Sequence, residues 1–220
     1  MKKLVGVAAI FFLVATLGSA ATLCTSFSGP QIITPTFQCS LGGLTFSNFT
    51  VVAAAGNMSP EVDLVSANTV GGTVNLNFNP NMSASTTYQD LYLFYTVSGG
   101  ATSVGGTNAG ANASIQETAC VVAFDIHHIC AAGSQLANFT IFSTAGLNTH
   151  PAESIASNTS VNIFKDIQVT PPGSLTSFTQ TFGSNGIGGG SGEEVPEPVS
   201  LLLMGSGLVG LSLLKKVRNA

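Results

Sequence analysis

The stretches "GGTVNLNFNP" (Gly71–Pro80) and "QDLYLFYTVSGG" (Gln89–Gly100) decide the fold class. In the first, Val74, Leu76 and Phe78 alternate with Asn75, Asn77 and Asn79; in the second, Leu91, Leu93, Tyr95 and Val97 fall on every other position. A period of two places each apolar set on one face of a strand, and the flanking Gly-Gly and Asn-Pro pairs are turn signals. The same texture recurs outward in "LTFSNFTVVAA", "CVVAFDIHHIC", "LANFTIFST", "TSVNIFKDIQVTPPG" and "SLTSFTQTFG". Long helical periodicity is missing between Thr22 and Phe182. Many short strands predict an all-β fold, an antiparallel β-sandwich or jelly-roll-like single domain over residues 22–183. The spacing of the runs is too uneven for a solenoid.

Charge is scarce. Only 7% of the residues are charged, against about 25% in ordinary soluble domains. Lys165 is the one basic residue between Thr22 and Glu194, facing Glu61, Asp63, Asp90, Glu117, Asp125, Glu153, Asp166, Glu193 and Glu194. Such a surface repels a phosphate backbone, which excludes nucleic acid as a partner.

Four cysteines form two local pairs, Cys24 with Cys39 and Cys120 with Cys130. An even number in an exported chain predicts disulfides, and of the three connectivities the local one is expected. Zinc would require a Cys-x-x-Cys spacing that the sequence lacks.

Both ends read as targeting segments. In "MKKLVGVAAIFFLVATLGSA", Lys2 and Lys3 precede an apolar run from Leu4 to Leu17 and the small residues Gly18-Ser19-Ala20. That is the three-part pattern of a secretory signal peptide, residues 1–21, read by the export machinery. At the other end a Gly/Ser/Glu linker, 184–194, leads to Pro196-Glu197-Pro198, an apolar run from Val199 to Leu214, and Lys215, Lys216 and Arg218. As a helix the run would be about 24 Å long, a thin membrane crossing, with the basic tip in the cytoplasm. The two prolines keep the motif extended and accessible.

"VPEPVSLLLMGSGLVGLSLLKKVR" (Val195–Arg218) closely resembles the PEP-CTERM sorting signal of Gram-negative bacteria, although its basic cluster is less Arg-rich than many. The resemblance covers only this tail. It implies recognition by exosortase, a membrane processing enzyme. It also implies a transient or stable single-pass anchor with the domain outside, and delivery to the cell surface or extracellular matrix. The sorting residues it implies are Val195, Pro196, Glu197, Pro198, Lys215, Lys216 and Arg218.

In "DIHH", Asp125 and His127 would share a strand face, and with His150 they form a candidate two-His, one-carboxylate metal set. A polar patch beside a disulfide is the plainer account of the same residues. Glu61 and Asp63 form a candidate carboxylate pair, with solvated edge charges as the plainer account. Asp125, His127 and Glu117 form a candidate hydrolase set, but no Gly-x-Ser-x-Gly elbow accompanies them. "GIGGGSG" follows no strand-to-helix pattern and cradles no phosphate. Asn-x-Ser/Thr triplets occur at Asn48, Asn57, Asn81, Asn112, Asn138 and Asn158, as an Asn- and Thr-rich composition produces freely.

The expected function is that of a non-enzymatic exported surface or matrix protein, with no catalytic residue and no cofactor, associated with exopolysaccharide or other surface proteins. A carbohydrate-binding module is the alternative, with Tyr88, Tyr92 and Tyr95 as stacking platforms and the lack of Trp against it.

Overall fold

The computed structural model describes residues 22–56, 61–156 and 160–184. The expected signal peptide, the linker beyond Ser184 and the sorting tail with its helix lie outside the described residues. Twelve strands make up the described fold: β1 (Thr22–Leu23), β2 (Gln31–Ile32), β3 (Cys39–Leu41), β4 (Leu44–Ala55), β5 (Asp63–Val70), β6 (Thr73–Asn79), β7 (Met82–Ala84), β8 (Gln89–Ser98), β9 (Ala101–Cys120), β10 (Gln135–Ser143), β11 (Gly146–Ser154) and β12 (Ser160–Ser184). No helix occurs among the described residues, so the all-β expectation holds there.

The strands form one curled, mixed sheet in the order β1-β3-β4-β8-β12-β6-β5-β2, with β9 beside β12, β7 also on β12, and β10 and β11 on β9. The β1–β3 pairing is parallel; the other pairings are antiparallel. Two long strands organise it. The first part of β12, Ser160–Val169, lies between β8 and the C-terminal part of β9; the last part, Gly173–Ser184, lies between β6 and β7 on one side and the N-terminal part of β9 on the other. The sheet therefore has two arms joined by β9 and β12.

Both long strands bend at the same level. Pro171 and Pro172 offer no N–H to a ladder, and the register of β12 against β9 jumps between Val169 and Ser174. Opposite them Asn112 takes φ 47° and donates from Nδ2 to the Pro172 carbonyl at 2.6 Å. Gly173 sits where a Cβ would lie 2.4 Å from the Thr170 carbonyl oxygen and 2.6 Å from that of Ala111. Gly173→Ala is therefore expected to cost about 1–3 kcal/mol as an overpacking change, read from the midpoint of urea unfolding.

The two arms face each other across one core. Phe46 of β4 meets Phe182 of β12 at 5.6 Å between centroids, and Tyr95 of β8 meets Phe78 of β6 at 6.3 Å. The alternation of β6 and β8 is obeyed: Val74, Leu76, Phe78, Leu91, Leu93, Tyr95 and Val97 are all buried. In "FSNF" a strict period of two would send Phe46 and Phe49 to opposite faces. Instead Asn48 adopts φ 57° in a bulge between Ser47 and Thr50, and both rings are buried. Asn81 and Asn112 likewise have positive φ, a conformation Asn tolerates better than most residues. Three of the Asn-x-Ser/Thr triplets thus mark backbone geometry.

Cys24 bonds Cys39 and Cys120 bonds Cys130, the expected local connectivity. The first bridge ties the start of the domain to β3; the second closes the loop that follows β9.

Candidate functional site

Alternation along β8 and β12 sends Asp90, Tyr92, Phe94 and Thr96, and Asn162, Phe164, Asp166 and Gln168, to the outer face of the first arm, since their neighbours fill the core. The disulfide loop folds back over this face. His128, at φ 62°, packs its ring against Tyr92, Phe94 and Phe164 at 4.9, 5.0 and 5.1 Å. Phe124 of the same loop reaches Phe164 at 5.7 Å and Phe94 at 6.2 Å, and Phe94 stacks on Phe164 at 4.8 Å.

This arrangement corrects the strand reading of "DIHH". Residues 121–134 form a loop, and Asp125 organises its turn: Oδ1 accepts from the His127 and Ile129 amides at 2.9 and 2.8 Å. The Ile129 amide, above all, holds the Asp125 carboxyl below its usual range. His150 lies on β11, stacked on Phe139 at 4.0 Å with Nδ1 2.9 Å from the Pro151 carbonyl oxygen. Among the described residues no group of three His, Cys, Asp or Glu side chains is placed to hold a metal. Glu117 is separated from Asp125 and His127 as well: it is fully buried in the core, on Lys165. Glu61 precedes β5 and is exposed, so it shares no strand with Asp63. Tyr95 is a core residue, 2% exposed, and cannot be a stacking platform.

Beside the loop, three neighbouring strands contribute a polar row. Asn48 Nδ2 donates to Thr96 Oγ1 at 3.4 Å, Thr96 Oγ1 donates to Asn162 Oδ1 at 3.2 Å, and Asn162 Nδ2 donates to the Val121 carbonyl at 3.4 Å. This row and the rings of Phe94 and Phe124 line a cleft of about 260 Å³, together with Thr50, Tyr95, Ala123, Asp125 and Ile163. The bulge at Asn48 brings that amide to the row, a common use of bulges beside binding sites. The sequence reading missed the cleft because its parts come from β4, β8, β12 and a loop. The one local hint was the broken period in "FSNF".

Further along the same face, Tyr88 Oη donates to Asp90 Oδ2 at 3.2 Å, and Gln168 Nε2 donates to Asp166 Oδ2 at 3.1 Å. Asp90 is 8% exposed; burial, then the charge of Asp166, pushes its carboxyl up to about 6. Burial likewise raises the Tyr88 and Tyr92 hydroxyls, with Asp90 adding to the shift. A carboxyl whose folded value lies above its unfolded one takes up protons on folding, so its contribution to stability falls as pH rises from about 4 to 6. The chain should therefore be more stable at pH 5 than at pH 7, and Asp90→Asn should flatten that slope in urea unfolding.

No family model matches the chain, and no curated protein does. Among solved structures, that of TmCBM61 in complex with beta-1,4-galactotriose is similar over 61% of this chain and 88% of its own, at 15% identity and a TM-score of 0.35. A likeness this slight carries neither fold nor ligand across.

Proposed function

We propose that this chain is an exported, non-catalytic surface or matrix protein whose domain, working as a β-sandwich, binds neutral polysaccharide in the outer-face cleft. The observation that carries the reading is the cleft's composition: the rings of Phe94 and Phe124 beside the Asn48–Thr96–Asn162 row. A sugar presents an apolar ring face and a hydroxyl edge, and this pairing of aromatic rings with fixed amides and hydroxyls suits both.

Charge narrows the ligand class. Lys165 is the sole Lys or Arg among the described residues, and it is buried, so the domain offers no exposed Lys or Arg to uronate or sulfate groups. Neutral glycans avoid that conflict. Phe124→Ala is expected to weaken binding of the matching oligosaccharide by about tenfold, the size of one aromatic stacking contact, in a calorimetric titration. Asn162→Ala should weaken it comparably, while Ile126→Ala on the same loop should not.

The tail supplies the address. Residues 195–218 direct exosortase processing after export through the signal peptide, and the released domain joins the exopolysaccharide at the surface of a Gram-negative bacterium. Terminal-peptide mass spectrometry on protein recovered from that surface tests this: a C-terminus near Val195–Pro198 is expected. A chain retaining Lys215–Ala220 in the membrane fraction would remove the release step and leave an anchored ectodomain.

A further inference from the structure

The core between the two arms holds three polar side chains that neither the fold nor the cleft explains. Lys165 of β12 is 2% exposed, Glu117 of β9 is 0% exposed, and Gln180, further along β12, is 0% exposed. Lys165 Nζ donates to Glu117 Oε2 at 2.5 Å, and Gln180 Nε2 donates to Glu117 Oε1 at 2.9 Å. One carboxylate thus touches both an amine and a carboxamide nitrogen. The Phe178 ring lies 5.4 Å from Nζ. Among the buried atoms without a hydrogen-bond partner are the Gln180 carbonyl oxygen Oε1 and the Tyr95 hydroxyl. Tyr95 stands near enough to Glu117 for that charge to raise its hydroxyl further, after burial itself. Its ring is 6.4 Å from that of Phe182, two residues beyond Gln180 on the same strand.

These are the parts of an acyl transfer: a nucleophilic amine, an acyl donor, one acid–base group in contact with both the attacking and the leaving nitrogen, and a buried hydroxyl with no partner of its own. We propose that Lys165 and Gln180 become joined by an intramolecular amide bond, with Glu117 as the acid–base residue. Glu117 takes the proton from Nζ, and the free amine attacks Gln180 Cδ. The carbonyl oxygen of the tetrahedral intermediate accepts a hydrogen bond from Tyr95. Glu117 returns the proton to Nε2 and the Cδ–Nε2 bond breaks; Glu117 then takes the surplus proton left on Nζ and passes it to the departing ammonia, which leaves as ammonium. The new Nζ–Cδ bond replaces the broken one, no electron is gained or lost, and Glu117 ends as it began. Burial lowers Lys165 and raises Glu117 from their ordinary values, so the core favours the uncharged amine that the attack requires. Exclusion of water protects the acyl centre from hydrolysis, and the strands fix the reactants as neighbours.

The bond would span the bend of β12 and pin one arm to the other, which neither disulfide does. Its test uses the full chain as purified. A chymotryptic digest is expected to contain the segments around Lys165 and Gln180 joined, lighter than their sum by one ammonia. After reduction and denaturation, trypsin should fail to cut after Lys165, its only site between Thr22 and Glu194. Glu117→Gln, and separately Gln180→Leu, should restore the free Lys165 and its cleavage. A wild-type chain with full peptide masses and normal cleavage after Lys165 overturns the proposal. A deficit of one water, placing the bond at Glu117, overturns it too, and a Glu117→Gln chain that still cross-links removes Glu117 from the mechanism. Because the wild type is itself diagnostic, the outcome does not depend on either variant folding.

Discussion

Lys165→Met is expected to leave the chain about 3–5 kcal/mol less stable at neutral pH than the double variant Lys165→Met/Glu117→Leu, although the double variant departs further from the natural sequence. The single change strands Glu117 in the core: it is wholly buried, its own hydrogen bonds go to Lys165 and Gln180, and only the second would remain. The double change replaces a buried polar pair by apolar volume. Burial already raises the Glu117 carboxyl. Its folded value therefore exceeds its unfolded one, and the stranded acid is penalised most at high pH. The gap between the variants should close as pH falls through the folded value of Glu117 and the acid takes up a proton. Urea unfolding of the two variants at pH 8 and pH 5 measures this; equal midpoints at both would show that the pair lacks the energetic weight assigned to it.

Phe182→Ala should be the costliest of the single apolar truncations in the core, at about 3–5 kcal/mol. Phe182 is fully buried near the end of β12, yet its ring meets Phe46 on β4 and Tyr95 on β8, both in the opposite arm. Its removal opens a void where the two arms touch, and neither long strand can move in to fill it without breaking pairings on both sides. Ile126, by contrast, is 88% exposed at the tip of the disulfide loop, and Ile126→Ala should stay within about 0.5 kcal/mol of the natural chain. Denaturant midpoints of the two variants, measured together, give the comparison; similar values would mean that the arms do not share one core.

What the sequence disclosed follows from which signals are local. β6 and β8 were legible because their alternation needs no knowledge of partners. β12 was read as two strands, "TSVNIFKDIQVTPPG" and "SLTSFTQTFG", because two prolines look like an end; here they mark a bend in one strand of 25 residues. β9 was not read at all. "ATSVGGTNAGANASIQETAC" has little apolar periodicity, yet it is paired on both sides, and its glycines admit close backbones. A Cβ on Gly106 would lie 2.7 Å from the Thr179 carbonyl oxygen, and one on Gly105 would lie 2.6 Å from Ala152 Cα. The buried pair did leave a trace: Lys165 stands among Val161, Ile163, Ile167 and Val169, and Glu117 among Ala113, Ile115 and Ala119, each a charge on an apolar face. The cleft left almost none, since Asn48, Thr96, Asn162 and Phe124 meet only once the strands and the loop are in place.

The central claim is that the outer-face cleft takes a neutral glycan, and the most direct measurement is an NMR titration of the domain, residues 22–184, with neutral oligosaccharides and with uronate-rich ones. Saturable shifts from the neutral sugars at Asn48, Thr96, Phe124 and Asn162, lost in Phe124→Ala and absent with uronates, are the predicted result. Shifts confined to other faces, shifts untouched by Phe124→Ala, or binding by uronates alone would contradict it.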